Sequence, residues 1–311
     1  GTTDCLGHVA LITCIFAALA EARPALRRTV RAVFIANEEN SSQSGIGVDR
    51  LAETGALEPL KAGPVYWLDS ADSQPCIGTA GMMVWRLTAH GKLFHSGLPH
   101  RGINAIELAQ EAVTYVQRRF MEDFPPHPRE AEYNYMVPST LKPTQMQTSR
   151  GSHNQIPATC TASGDIRVTP FYDVADVKVK VEEYVAAINA DPQGVLSEKA
   201  PWSRFVLEDG TKGSVELEWM GEPENGIACD ISSEGHVALL ESTRTVLGDV
   251  KPYSITGSLP LVREMQASGF DLQISGFGLS SRYHAVNEMA KLSDLMNGFR
   301  IVSAIIARLE G

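Results

Sequence analysis

MVWRLTAHGKLFHSGLPHRGINAIELAQEAVTYVQRRF, residues 83 to 120, decides the fold. Its first nine residues alternate apolar and polar side chains up to a glycine, the period of a half-buried strand. INAIELAQEAVTYVQRRF (103 to 120) then repeats apolar residues at three- and four-residue intervals, the period of an amphipathic helix. Two strand-like runs follow, around 142 to 148 and 159 to 169, then a helix VADVKVKVEEYVAAI and a strand SVELEWM at 214 to 220. The order β-α-β-β-α-β predicts a small ferredoxin-like α+β domain, an antiparallel sheet with helices on one face. EDFPPHPRE (122 to 130) and DPQGVLSEKAPW (191 to 202) are rich in proline and charge and read as surface loops without chemistry.

On both sides of this unit the pattern is that of a doubly wound α/β layer. Before it come a helix from about residue 6 to 22, a strand VRAVFIAN (30 to 37), a helix near 46 to 57 and a strand PVYWLD (64 to 69). After it come a helix near 232 to 246, a loop TGSLP (256 to 260), a helix ending at 267, a strand DLQISGFG and an amphipathic helix from 292 to 309. The expected organisation is one catalytic layer, 1–82 with 223–311, interrupted by an inserted domain, 83–222.

The 311 residues, 43% hydrophobic, are enough for two cores. The longest apolar run, VALITCIFAALA (9 to 20), falls short of the ~20 residues of a membrane span, so no membrane is expected. A formal charge of −10 disfavours nucleic acid as a partner. Five widely spaced cysteines in apolar surroundings predict reduced thiols and a reducing compartment, cytoplasm or organelle matrix, rather than secretion. The sequence opens at Gly1 in what reads as a loop entering a helix, and is expected to be a piece of a longer chain.

Open α/β sheets place their ligands at the carboxyl ends of the strands. Glu38 and Glu39 follow one predicted strand directly, Asp69 closes the next, Asp4 stands at a helix entrance, and His284 follows the glycine turn after LQISGFG. Each alone has an ordinary reading: a solvated acid pair, a helix cap, a structural histidine. Together at one sheet edge they have the composition of a zinc site.

GTTDCLGH, ANEENSS, FHSGLPHRGINAIELA, NQIP, GDIRVTPF and GLSSRYHAVNE resemble, in order and spacing, the motifs of the di-zinc deacylases and peptidases that include acetylornithine deacetylase, succinyl-diaminopimelate desuccinylase, aminoacylase and carboxypeptidase G. The resemblance covers essentially the whole chain, and HSGLPHRGINAIELA is most similar to the acetylornithine deacetylases. It implies a metallopeptidase catalytic domain with a dimerisation insert, and two zinc ions per active site, with cobalt as a possible substitute. Asp4 would bridge the metals, Glu39 and His284 would complete one site, and Asp69 would serve the other. Glu38 would be the general base, and His95 would stabilise the oxyanion across a homodimer formed through the insert. Asn154, Arg167 and the turn Thr256, Gly257, Ser258 would hold the substrate. The remaining ligand of the Asp69 site should be a histidine in an HxD motif ahead of GTTD, a motif this sequence does not contain. His8 reads as a helix-face residue instead, and His100 as a loop residue. The implied substrate is a small N-acyl amino acid, foremost N-acetylornithine in arginine biosynthesis. A dipeptidase or carboxypeptidase of the same chemistry, and a non-catalytic assembly protein, are the alternatives.

Overall fold

A computed structural model describes residues 1–36, 45–196, 204–257, 259 and 262–311. The chain starts with an irregular turn, Thr2–Leu6, and helix α1 (Gly7–Ala22). Helix α2 (Val48–Glu53) and strands β1 (Val65–Leu68) and β2 (Cys76–Gly78) follow. The inserted unit comprises β3 (Gly81–His90), β4 (Phe94–His95), α3 (Ala105–Asp123), α4 (Pro128–Glu132), β5 (Thr140–Thr148), β6 (Gln155–Ile156), β7 (Thr159–Val168), α5 (Val174–Ala190), α6 (Pro192–Val195) and β8 (Ser214–Glu224). The chain then returns through α7 (Glu234–Leu247), β9 (Tyr253–Ser254), α8 (Val262–Ala267), β10 (Leu272–Ser275) and α9 (Leu292–Leu309).

The insert follows the expected pattern closely. Its sheet has the order β5-β7-β3-β8, every neighbour antiparallel, with β3 in register against β7 from Gly81↔Val168 to His90↔Thr159. Strict alternation of buried and half-buried residues along β3 and β7 turns one face onto α3 and α5, where Leu108, Val116, Phe120, Val181 and Ile188 fill a continuous core. Asn104 and Asp173 cap the two helices, each accepting an amide hydrogen two residues on.

The flanking layer is covered on both faces, as a doubly wound sheet requires. One core holds Leu11 and Ile15 of α1 with Leu239 of α7 and Ile301 and Ile305 of α9; the other holds Val262 and Met265 of α8 with Leu272 and Ile274 of β10. The sheet order is β1-β10-β2-β9, and it is mixed: β1 runs parallel to β10 and β2 to β9, while β10 and β2 are antiparallel.

Two expectations are corrected. The strand predicted at 30 to 37 is not one over its described residues. The apolar run is present, but its described residues join no sheet ladder; Val33 and Phe34 are 42% and 52% exposed, and the stretch flanks a groove of about 630 Å³ between α1 and β1. A strand exists only where a neighbour accepts its backbone hydrogen bonds. The predicted loops at 122 to 130 and 191 to 202 contain α4 and α6, each begun by a proline in the first turn and capped by the residue before it, His127 or Asp191. Glu130 of α4 is buried.

Residues Thr2–Ala22 reach the length and hydropathy of a membrane span. The turn carrying Asp4 is not helical, however, and the regular helix of 16 residues is about 24 Å long, short of a ~30 Å hydrocarbon core. None of the five cysteines forms a disulfide, and Cys76, Cys160 and Cys229 are buried.

His8 is the core residue its helix face suggested. Its Nε2 accepts the Phe277 amide at 2.7 Å, pinning the turn after β10 to α1. Burial lowers its pKa from 6.5 to about 4, against the opposing pull of Asp4. Because this base is depressed in the folded state, its contribution to stability is full above pH 6.5 and declines as the pH falls toward 4, while only the unfolded chain takes up the proton. The loss amounts to roughly 3 kcal/mol. Thermal unfolding measured across this range is expected to show a steep fall in midpoint that His8→Gln flattens; equal slopes in the two chains would refute the assignment.

Candidate active site

Three chain segments meet at the carboxyl edge of β1 and β10. Because these strands run parallel in register, from Val65↔Leu272 to Leu68↔Ser275, Asp69 and the turn after β10 leave the sheet side by side, and the Asp69 amide donates to the Ser275 carbonyl at 3.0 Å. The third segment is the turn ahead of α1. Asp4 sits there with φ −127° and ψ 89°, outside helical values, and α1 has no side-chain cap at its start. The capping role open to Asp4 in the sequence is therefore not the one it takes.

Glu288 fixes this turn. Its Oε1 accepts the amides of Thr3 and Asp4, each at 2.8 Å, and the Asp4 amide foremost holds its carboxyl below the usual range. The Thr3 hydroxyl donates to the Met289 carbonyl at 2.8 Å, and Gly278, at φ +117°, leaves room for Thr3 where any Cβ would collide. The 3–4 and 284–289 segments are thus one unit. Within it, His284 Nε2 lies 2.9 Å from Asp4 Oδ2.

A carboxylate oxygen of Asp4, the Cys5 sulfur and a carboxylate oxygen of Asp69 all lie within 4.8 Å of one another. The Trp67 indole orients Asp69 by donating to its Oδ2 at 3.4 Å. Tyr283 belongs to the same setting: burial first, then Tyr253 and the carboxylates of Asp69, Asp4 and Asp72, push its phenol up. Two carboxylates and an imidazole, with a thiol beside them, form a donor set that suits a divalent cation of borderline softness. The residues fit a metal. The groove beside β1 reaches this cluster at Cys5 and Asp69.

Asp4, Asp69 and His284, predicted from sequence, are therefore brought together. Glu38, Glu39 and Ser258 lie outside the described residues. Cys5 and Glu288 were missed. Nothing in the sequence separates Cys5 from a core thiol, whereas Glu288 carries a weak signal in its position four residues after His284.

The insert gathers a second group. The short antiparallel pair β4 and β6 sets His95 opposite Gln155, and the Ser96 amide donates to the Asn154 carbonyl at 2.9 Å, so His95 and Asn154 are neighbours. His95 is exposed, and its Nδ1 accepts the Gly97 amide at 3.0 Å, which leaves the proton of the neutral ring on Nε2. An Nε2–H donor is what an oxyanion requires. His100 lies in the exposed turn Pro99–Arg101. Arg167 donates through Nε to Asp165 Oδ2 at 2.7 Å, an ion pair within β7. Thr256 and Gly257 form a bend strung on the start of the insert, with Ile255 N on Gly78 O and Ala80 N on Gly257 O, both at 3.0 Å.

Residues 77–192 match the family model described as Peptidase dimerisation domain. The chain is 52% identical over 311 residues to the acetylornithine deacetylase of Arabidopsis thaliana and 50% identical over 315 residues to that of Dictyostelium discoideum, covering 100% of this chain and 70% of each relative. A metallo-carboxypeptidase of the M20 family from Sulfolobus solfataricus has the same fold at a TM-score of 0.62 and 15% identity, over 100% of this chain and 76% of that one. With two relatives at half identity along its whole length, the chain belongs to the acetylornithine deacetylase branch of the M20 peptidase family.

Proposed function

We propose that this chain forms the body of a metal-dependent hydrolase that removes the acetyl group from N-acetylornithine, giving acetate and the ornithine needed for arginine biosynthesis. The observation that carries the reading is 52% identity to an acetylornithine deacetylase across all 311 residues. The meeting of Asp4, Asp69 and His284 at one sheet edge supports the metal dependence. The hydrolase fold and the gathering of Asp4, Asp69 and His284 speak against an assembly protein, because a chain freed from catalysis has no need to crowd carboxylates together.

Asp4, Asp69 and His284, with Glu39, would hold two zinc ions, and Cys5 stands beside them. Bound zinc supplies a polarised amide carbonyl and a water acidified to near neutral pH. Glu38 would act as general base and then general acid, accepting a proton from the attacking water and delivering it to the leaving amine. His95, as an Nε2–H donor from the partner subunit of a homodimer, steadies the developing oxyanion. Asn154, Arg167 and the bend at Thr256, Gly257 and Ser258 hold the amino-acid end; for Arg167 this means sharing its guanidinium between Asp165 and the substrate carboxylate. Buried, free cysteines suit a reducing compartment, cytoplasm or organelle matrix.

The trans role of His95 is tested by mixing two inactive variants, His95→Ala and Glu38→Ala. Reassorted dimers contain one site with both residues intact, so a 1:1 mixture is expected to regain about a quarter of wild-type activity. No recovery would place His95 in the site of its own subunit or outside the reaction.

A further inference from the structure

The segment 127–135, which begins within the loop predicted at 122 to 130, ties the insert to the catalytic layer. Its base is anchored inside the insert: buried Glu130 accepts the Thr169 hydroxyl at 2.8 Å, and Thr169 and Ser139 are linked in turn. The Arg129 guanidinium lies over the rings of Phe171 and Tyr133, 4.8 and 5.2 Å from their centroids, and the His127 ring stacks on Phe171. The far end makes four hydrogen bonds to the layer. Tyr135 Oη donates to the Thr79 carbonyl at 2.9 Å, where the chain enters the insert, and Tyr133 Oη donates to the Cys229 carbonyl at 2.9 Å, where it leaves. Asn134 Nδ2 donates to the Pro252 carbonyl at 3.0 Å, and the Ser254 hydroxyl donates to the Tyr133 carbonyl at 2.6 Å.

These acceptors are not scattered. Thr79 and Ala80 bond to 227 and 257, Ile255 bonds to Gly78, and Ser254 is two residues ahead of Thr256. Both crossings between the domains and the bend at 256–257 therefore close on the same three residues, 133 to 135. Gly78 is part of the fit, since a Cβ there would strike both the Tyr135 and the Ser254 hydroxyls.

We propose that residues 133–135 form a clasp that sets the insert on the catalytic layer and holds the bend at 256–257 where the amino-acid end of the substrate docks, with Tyr135 and Ser254 as positioning residues. The docking role rests on the proposed function; the clasp itself rests on the hydrogen bonds alone. A device of this kind acts on substrate binding and on the local opening of the hinge backbone. It does not act on the metal cluster, to which none of these four hydrogen bonds runs.

The test uses Tyr135→Phe and Ser254→Ala, each of which removes one hydroxyl and keeps the fold. Amide hydrogen exchange in the full chain is expected to speed up about tenfold at Ala80 and Ile255 in both variants while the core of α3 is unchanged. In steady-state assays with N-acetylornithine, KM is expected to rise about fivefold with bound metal unchanged and kcat altered less than twofold. Unchanged exchange at Ala80 and Ile255 overturns the clasp whatever the enzyme does. Faster exchange with an unaltered KM, in a chain whose wild type hydrolyses N-acetylornithine, overturns the positioning role. A wild type without that activity overturns the proposed function and with it the docking role, and leaves the clasp to be decided by exchange.

Discussion

Asp4→Asn is expected to lower bound metal and to reduce N-acetylornithine hydrolysis roughly a thousandfold, the scale on which loss of several kcal/mol of charge stabilisation acts. Asp4 is the point where the other donors meet. His284 is 2.9 Å from one of its oxygens, and Cys5 and Asp69 offer atoms within 4.8 Å. Asparagine keeps the shape and the backbone bonds to Glu288 but removes the negative charge that the proposed ligand would offer to a bound cation. Metal content by elemental analysis, with turnover on the same samples, checks this result. Full metal occupancy in the variant would remove Asp4 from the centre of the site. Glu288→Gln is a useful companion: the amide oxygen still accepts from Thr3 and Asp4, so a much milder loss is expected there.

The second large effect separates Glu38 from Glu39. Glu38→Gln is expected to leave bound metal near wild type while lowering turnover by about three orders of magnitude, since a general base typically contributes 10²–10⁴-fold and the role proposed for Glu38 includes returning the proton. Glu39→Gln is expected to lose metal and turnover together. Equal metal loss in both would sink the division into base and ligand, and an active Glu38→Gln chain would require another base.

The parts of this fold that were legible in the sequence are those whose periodicity is local. The insert's long strands and helices alternate at periods of two and three to four residues over nine or more positions, and α9 begins and ends at the residues its pattern suggests. What was not legible depends on partners far along the chain. The apolar run at 30 to 37 has the composition of a strand, but its described residues find no ladder neighbour. The two-residue strands β4 and β6 exist only because residues 94–95 meet residues 155–156. Residues 122 to 130 were set aside for their prolines and charges, although Pro128 and the His127 cap mark a helix start; nothing local marked Tyr135 and Tyr133, whose acceptors, Thr79 and Cys229, are 56 and 96 residues away.

The site divides in the same way. The position of Asp69 and His284 at one sheet edge was legible because parallel strands carry their following residues to one edge, a rule that needs only strand order. Asp4 was promoted by the company of the other donors and by the motif resemblance, since its local setting alone reads as a cap. Cys5 was invisible: only the turn ahead of α1 brings its sulfur beside Asp69.

The most direct test of the central claim is release of ornithine from N-acetylornithine by the polypeptide at its full natural length, measured before chelation, after removal of metal, and after zinc is restored. The account predicts release that disappears with the metal and returns with zinc. Release that survives complete metal removal, or no release from the zinc-loaded protein, would contradict it.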